Sequence, residues 1–244
     1  MFIGLGSLIN AATILIGSAI GIMFGSKLRE HTRELIMSVL GLITACAAAD
    51  MVKTLWEQGF VSALPKGWPI ISILLALILG SLIGSALKIE KRLESIGGRL
   101  KNIFDKEGHS PFIEGFVMAS LIFVVGPMAI LGGISDGMQT GIQTLVLKSI
   151  LDGIAAMAFA ATLGWGVAAS AIPTALYQLI WTAVGFGLGN VLADYQIKSI
   201  TAAGGLLILC ISLRLLKLKQ IAIGDMLPAL FVAPIIVLIL HNLI

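Results

Sequence analysis

Residues 126–153 read GPMAILGGISDGMQTGIQTLVLKSILDG. Hydrophobic segments long enough to cross a bilayer flank this stretch on both sides. The stretch itself carries Gly126, Pro127, Gly132, Gly133, Gly137 and Gly141, together with Asp136, Lys148 and Asp152. Broken backbone and ionisable side chains are costly at membrane depth and persist where they line a cavity or a protein interior. The stretch therefore reads as the polar site of a membrane protein, around which the other segments are arranged.

Composition supports that reading. The 244 residues are 58% hydrophobic and 12% charged, with a mean hydropathy of +1.04. A soluble domain of this size carries far more charge. A net charge of +3 gives no basis for nucleic-acid binding. Twenty-eight glycines suit close helix packing in lipid. Cys46 and Cys210 fall inside apolar segments, as small packing residues would. Leu8 to Phe24 has no basic residue before it and Lys27, Arg29 and Arg33 after it, the reverse of a signal peptide, so it reads as a retained first helix.

About eight spanning segments can be drawn, near 3–25, 34–53, 68–87, 112–131, 142–163, 167–190, 198–214 and 226–243. None alternates as a barrel strand would. The expectation is an all-α polytopic bundle forming a single transmembrane domain over 1–244. With the N-terminus outside, twelve of the sixteen Lys and Arg residues fall in inside loops. Both termini are then outside. Trp56, Trp68 and Trp165 lie at the expected interfaces. In the inside loop 88–109, Leu93, Ile96, Leu100, Ile103 and Phe104 recur at helical spacing among basic residues. That pattern fits an amphipathic helix on anionic lipid.

A shift of 164 residues lays Ala11, Ala19, Gly21, Gly25, Gly41 and Cys46 on identical residues of the sixth and seventh segments. In the topology above this would be an inverted repeat, helices 1–3 against 6–8, as in many secondary transporters. Gly17, Gly21 and Gly25, then Gly80 and Gly84, then Gly185 and Gly189, form four-spaced rows. Such rows serve packing within the chain or a homodimer through the glycine-rich faces.

The candidate site follows from the opening stretch. Gly126 and Pro127 end the fourth helix. The glycine-rich residues after them are then an outer loop or a re-entrant segment, the latter bringing Asp136 towards Lys148 and Asp152. Lys148 and Asp152 share a helix face near mid-depth. Ser149, Gln139 and Gln143 add polar surface, and Tyr177 and Gln178 on the sixth helix can face it. Glu114 and Asp50, near the interfaces, stand as gate candidates. No nucleophile triad, phosphate loop or metal-ligand cluster is present, which gives no support for an enzyme, a cofactor or a metal site.

GPMAILGGISDGMQTG, KSILDG at 148–153 and SAIPTALYQ at 170–178 resemble the YqgA/YdfK-like family of bacterial multi-pass inner-membrane proteins of unknown function. The resemblance covers essentially the whole chain. It marks Gly126, Pro127, Asp136, Gly137, Lys148, Ser149, Asp152, Gly153, Tyr177 and Gln178 as matching positions. Where the family pattern has Gly-Ser-Ile-Gln-Asp-Gly, this chain has Gly132-Gly133-Ile134-Ser135-Asp136-Gly137 and lacks the glutamine. The functional expectation is a small secondary transporter or permease for a small solute or ion. The alternatives are a passive homodimeric channel and a non-transporting membrane scaffold.

Overall fold

The computed structural model describes residues 2–25, 29–104, 111–125, 127–188 and 192–243. The described residues are 86% helical and include no strand. In chain order the helices are α1 (Leu5–Gly25), α2 (Glu30–Val52), α3 (Gln58–Val61), α4 (Trp68–Leu87), α5 (Ile89–Phe104), α6 (Phe112–Val124), α7 (Pro127–Gly137), α8 (Gln143–Leu163), α9 (Trp165–Ala169), α10 (Ala171–Leu188), α11 (Asp194–Leu215) and α12 (Ala229–Leu243). Among the described residues, seven helical stretches are long and apolar enough to span a membrane. A bent pair, Phe112–Val124 with Met128–Gly137, supplies the eighth. The expected segments are all present.

The bend has a local cause. Val125 is extended, at φ −73° and ψ 121°, so α6 stops there. Pro127 then begins α7, at the one helical position where a missing amide hydrogen costs nothing. The two halves meet at 64°. The glycine-rich residues after the break are helical up to Gly137, so they form a half-helix and not an outer loop, and the bent pair is a broken span or a re-entrant segment. A helix satisfies its own backbone polar groups where water is scarce, and this outweighs the weak helix propensity of glycine.

The helices gather into two compact units. One comprises Met1–Leu40 with Leu93–Val191, the other Gly41–Arg92 with Leu192–Ile244.

In the first unit, α1 runs alongside α8 in the same direction. A Cβ placed on Gly17, Gly21 or Gly25 would fall on the backbone carbonyl of Gly153, Met157 or Ala161 respectively. The same device joins α7 to α10. There Gly137 faces the Thr182 carbonyl and Gly185 faces the Ile134 carbonyl. These crossings are so close that backbones touch, which places polar side chains of one helix directly on the next. The amphipathic reading of 88–109 covers α5 and continues past the described residues at 105–110. Gly97 of α5 rests against Phe116 of α6.

In the second unit, Gly80 of α4 abuts the backbone of Ala229, and Ser212 of α11 donates to the Gly41 carbonyl at 2.7 Å. A reciprocal cap closes one end. The Glu90 carboxylate accepts from Gly224 N at 2.6 Å, while Glu90 N donates to Asp225 at 2.9 Å. Arg214 adds an ion pair to Glu90 at 2.7 Å. Each carboxylate thus covers the orphan amides at the start of the other's helical segment.

The described members of the glycine rows are therefore filled within the chain, and a dimer along those faces would have to displace these contacts. One substitution measures how tight the crossings are. Gly21→Leu should lower stability by about 1–3 kcal/mol, because its side chain meets the Met157 carbonyl. Gly187→Ala, where a Cβ meets nothing within 4 Å, should leave stability unchanged or raise it slightly. Thermal unfolding in detergent checks both. Equal effects would mean that α1 and α8 are not in backbone contact.

Candidate functional site

The first turn of any helix presents amide hydrogens that lack intrahelical acceptors, and it attracts negative charge. In α1 those amides are met by Asp136, from the far end of α7. Gly4 N donates to Asp136 Oδ1 at 3.3 Å, and Gly6 N donates to Oδ2 at 3.2 Å. Asp136 is only 3% exposed. Gly4 has φ +88°, a conformation that favours glycine, and a Cβ on Gly6 would collide with Leu145 and crowd the Asp136 carboxylate. The glycines flanking Leu5 thus shape a seat for one carboxylate.

One turn further along α1 lies Asn10, about 6 Å from Gly6 at 1.5 Å per residue. Its Nδ2 donates to Asp152 Oδ2 at 3.0 Å, and the same oxygen accepts from Lys148 Nζ at 2.6 Å. Asn10, Lys148 and Asp152 are all buried. The ion pair joins residues four apart on α8, as their spacing predicts. Ser149 is buried beside them, and its hydroxyl donates to the Leu145 carbonyl of its own helix at 2.6 Å.

Asp136 and the Lys148–Asp152 pair thus line the same edge of α1 and are held by different groups on it. Among the described residues no ion pair links Asp136 to Lys148. Leu145 of α8 and Asp136 both lie against Gly6 of α1. Asp136 is buried and lies at the end of a helix, not in an exposed outer loop.

The remaining candidates divide. Gln178 is fully buried on α10, and neither end of its amide has a protein partner. Tyr177, next to it, is half-buried and meets Trp181 edge-on at 6.3 Å between ring centroids. Gln139 and Gln143 are exposed and stand outside the buried set. Gln139 occupies a turn at φ 59°, which points to a role in ending α7. Glu114 and Asp50 are exposed as well, and Asp50 pairs with Lys53 at 3.1 Å. Of the helix-break residues, Gly126 lies outside the described residues and Pro127 opens α7. Gly132 and Gly133 are interior to α7 and Gly137 ends it, and all three serve packing, Gly132 against Leu145, Gly133 against the Gln178 carbonyl and Gly137 against the Thr182 carbonyl.

The polar residue of this candidate site that sequence reasoning missed is Asn10. A signal was available, since Ser7, Asn10 and Ser18 recur on one face of an otherwise apolar first helix. All three are fully buried. Ser7 Oγ, Asn10 Oδ1 and Ser18 Oγ have no protein partner. A buried polar atom without a partner costs about 1–3 kcal/mol. The α1 edge therefore offers spare hydrogen-bonding capacity next to two carboxylates and one ammonium. Among the described residues, no three His, Cys, Asp or Glu side chains gather as metal ligands would.

Removing one partner of a buried ion pair should cost more than removing both. Lys148→Met and Asp152→Leu should each destabilise by about 3–5 kcal/mol, and the double variant by clearly less than their sum. A double-mutant cycle of unfolding midpoints reads this. Strict additivity would show that the two groups do not interact.

The comparisons with known proteins identify a family. Residues 5–238 match the family described as "Protein of unknown function (DUF554)". The chain is 30% identical over 238 residues to the uncharacterized protein YqgA of Escherichia coli (strain K12), covering 94% of each chain. It is 26% identical over 236 residues to the uncharacterized membrane protein YdfK of Bacillus subtilis (strain 168), covering 97% of this chain and 96% of that one. No solved structure matches the chain. Over nearly its whole length, then, this chain belongs to the DUF554 family.

Proposed function

We propose that the protein is a small secondary transporter or permease for a small solute or ion, and that the polar edge of α1 is its binding site. The observation that carries this reading is the buried Lys148–Asp152 pair, bonded to Asn10 across a helix crossing. Buried ion pairs contribute little net stability, and intramembrane charges are costly, so such a pair points to a function. Asp136, Ser7 and Gln178 extend the polar set with a further carboxylate and with hydrogen-bonding atoms that the protein leaves unpaired.

The broken span gives the site a moving part. The connection between α6 and α7 is two residues long, and the far end of α7 is held on α1 by two hydrogen bonds that Asp136 accepts from Gly4 N and Gly6 N. Half-helices of this kind form binding sites in many transporters, because their ends present free backbone groups. Solute binding that competes for Asp136 would release α7 from α1.

The inverted repeat belongs to the same reading. Moved by 164 residues, Glu30–Val52 falls on 194–216, against Asp194–Leu215 for α11. Gly21 and its counterpart Gly185 each abut a backbone carbonyl of a neighbouring helix. The orientation, both termini outside an inner membrane, is supported by the basic loops, and the parallel pairs fit the alternation of spans in either orientation. Spans one and five both run inward in that topology, and spans four and six both run outward.

Two experiments test these readings. Purified protein in proteoliposomes should drive solute-dependent proton or ion flux. Asp152→Asn and Lys148→Met should abolish it while the protein still inserts. Variants that transport like the parent would remove these residues from the site, and ohmic current without coupling would identify a channel instead. For orientation, a cysteine at Ser95 should label only from the cytoplasm, and cysteines at Lys66 and Asn242 only from outside. External labelling at Ser95 would reverse the topology.

A further inference from the structure

We propose that the second unit carries a binding site for an anionic phospholipid, at the corner where α4 meets α5 and α11 ends. Two basic segments far apart in sequence meet there. Lys88, Lys91 and Arg92 flank Glu90, and Lys217 and Lys219 follow Arg214. The Glu90–Arg214 ion pair at 2.7 Å and the Glu90–Gly224 hydrogen bond at 2.6 Å join the segments. Asp225 is held by Glu90 N at 2.9 Å, so the Glu90 and Asp225 carboxylates are engaged in the cap, and Glu94, one turn on, is the remaining acidic residue of the basic stretch. Lys88, Lys91, Arg92 and Lys219 are exposed, and among the described residues none of them enters an ion pair. The corner therefore carries an excess of positive charge.

Phosphate is the chemistry that such a cluster recognises, and the apolar surroundings favour a lipid over a free solute. Leu87, immediately before Lys88, is 47% exposed, and Leu218, between Lys217 and Lys219, is 69% exposed. Leu82 and Ile83 continue the exposed apolar surface along α4. A headgroup at the lysines places its acyl chains against these side chains. Basic clusters at the ends of spanning helices bind anionic headgroups in this manner, with about 1 kcal/mol, or a factor of about five, for each Lys or Arg. This inference stands apart from the transport reading, since it uses none of the α1, α7 or α8 residues.

Native mass spectrometry of the delipidated full chain, titrated separately with phosphatidylglycerol, phosphatidylcholine and inorganic phosphate, tests the proposal. The parent should bind phosphatidylglycerol about 25-fold more tightly than Lys88→Gln/Lys219→Gln does, with no such difference for phosphatidylcholine. Equal phosphatidylglycerol affinity in parent and variant would overturn the proposal. So would millimolar inorganic phosphate that displaces the lipid, because the ligand would then be a phosphate-bearing solute. A salt titration of the unmodified chain tests the same point without any substitution. Rising ionic strength should weaken phosphatidylglycerol binding, and insensitivity to salt would contradict a charge-based site.

Discussion

Backbone contact between α1 and α8 is the constraint on which the site depends. Gly17, Gly21 and Gly25 allow it, each set against a carbonyl of the partner helix. With larger residues there, the helices would separate and Asn10 could not reach Asp152 across the interface. In a membrane the hydrophobic effect does not drive helices together, so close packing and hydrogen bonds must do so. The glycine row supplies the first and the Asn10–Asp152 bond the second. Asp136 then closes the start of the same helix by accepting its unsatisfied amides.

This arrangement puts charge where charge is costly, and balances it locally. Lys148 neutralises Asp152, and the N-terminal dipole of α1 offsets Asp136. The balance is incomplete at the level of hydrogen bonds. Ser7, Asn10, Ser18 and Gln178 keep buried polar atoms without protein partners. A purely structural crossing would have little reason to retain them. Under the transport proposal, the unpaired atoms of Ser7, Asn10 and Gln178 are available to a bound solute.

Much of this was legible in the sequence, for physical reasons. Hydrophobic runs of about 20 residues must be helices in lipid, so the spans and their order could be read directly. Pro127 marked the break because proline cannot continue a regular helix. Four-residue spacing joined Lys148 to Asp152. Residues whose role depends on a neighbouring helix were harder. Asn10 looked like one polar residue in an apolar span, since nothing local reveals which helix it crosses. Gln139 and Gln143 looked suitable by type, yet they sit at the exposed turn and helix start that follow α7. The glycines of α7 suggested irregular backbone, whereas they serve close contact in a regular helix. Composition cannot separate those two uses of glycine, because both require the absence of a side chain.

The most direct measurement is a cross-link between α1 and α8. A Cβ on Gly153 would lie 3.3 Å from the Thr13 Cβ, close to the separation that a disulfide requires. In a background with Cys46→Ser and Cys210→Ser, the variant Thr13→Cys/Gly153→Cys should oxidise rapidly to an intramolecular disulfide in native membranes. Thr13→Cys/Leu151→Cys, with an exposed position on α8 as the second site, should not. Failure of the first pair to cross-link in inserted protein, or equal cross-linking of both, would contradict the α1–α8 crossing and the site built on it.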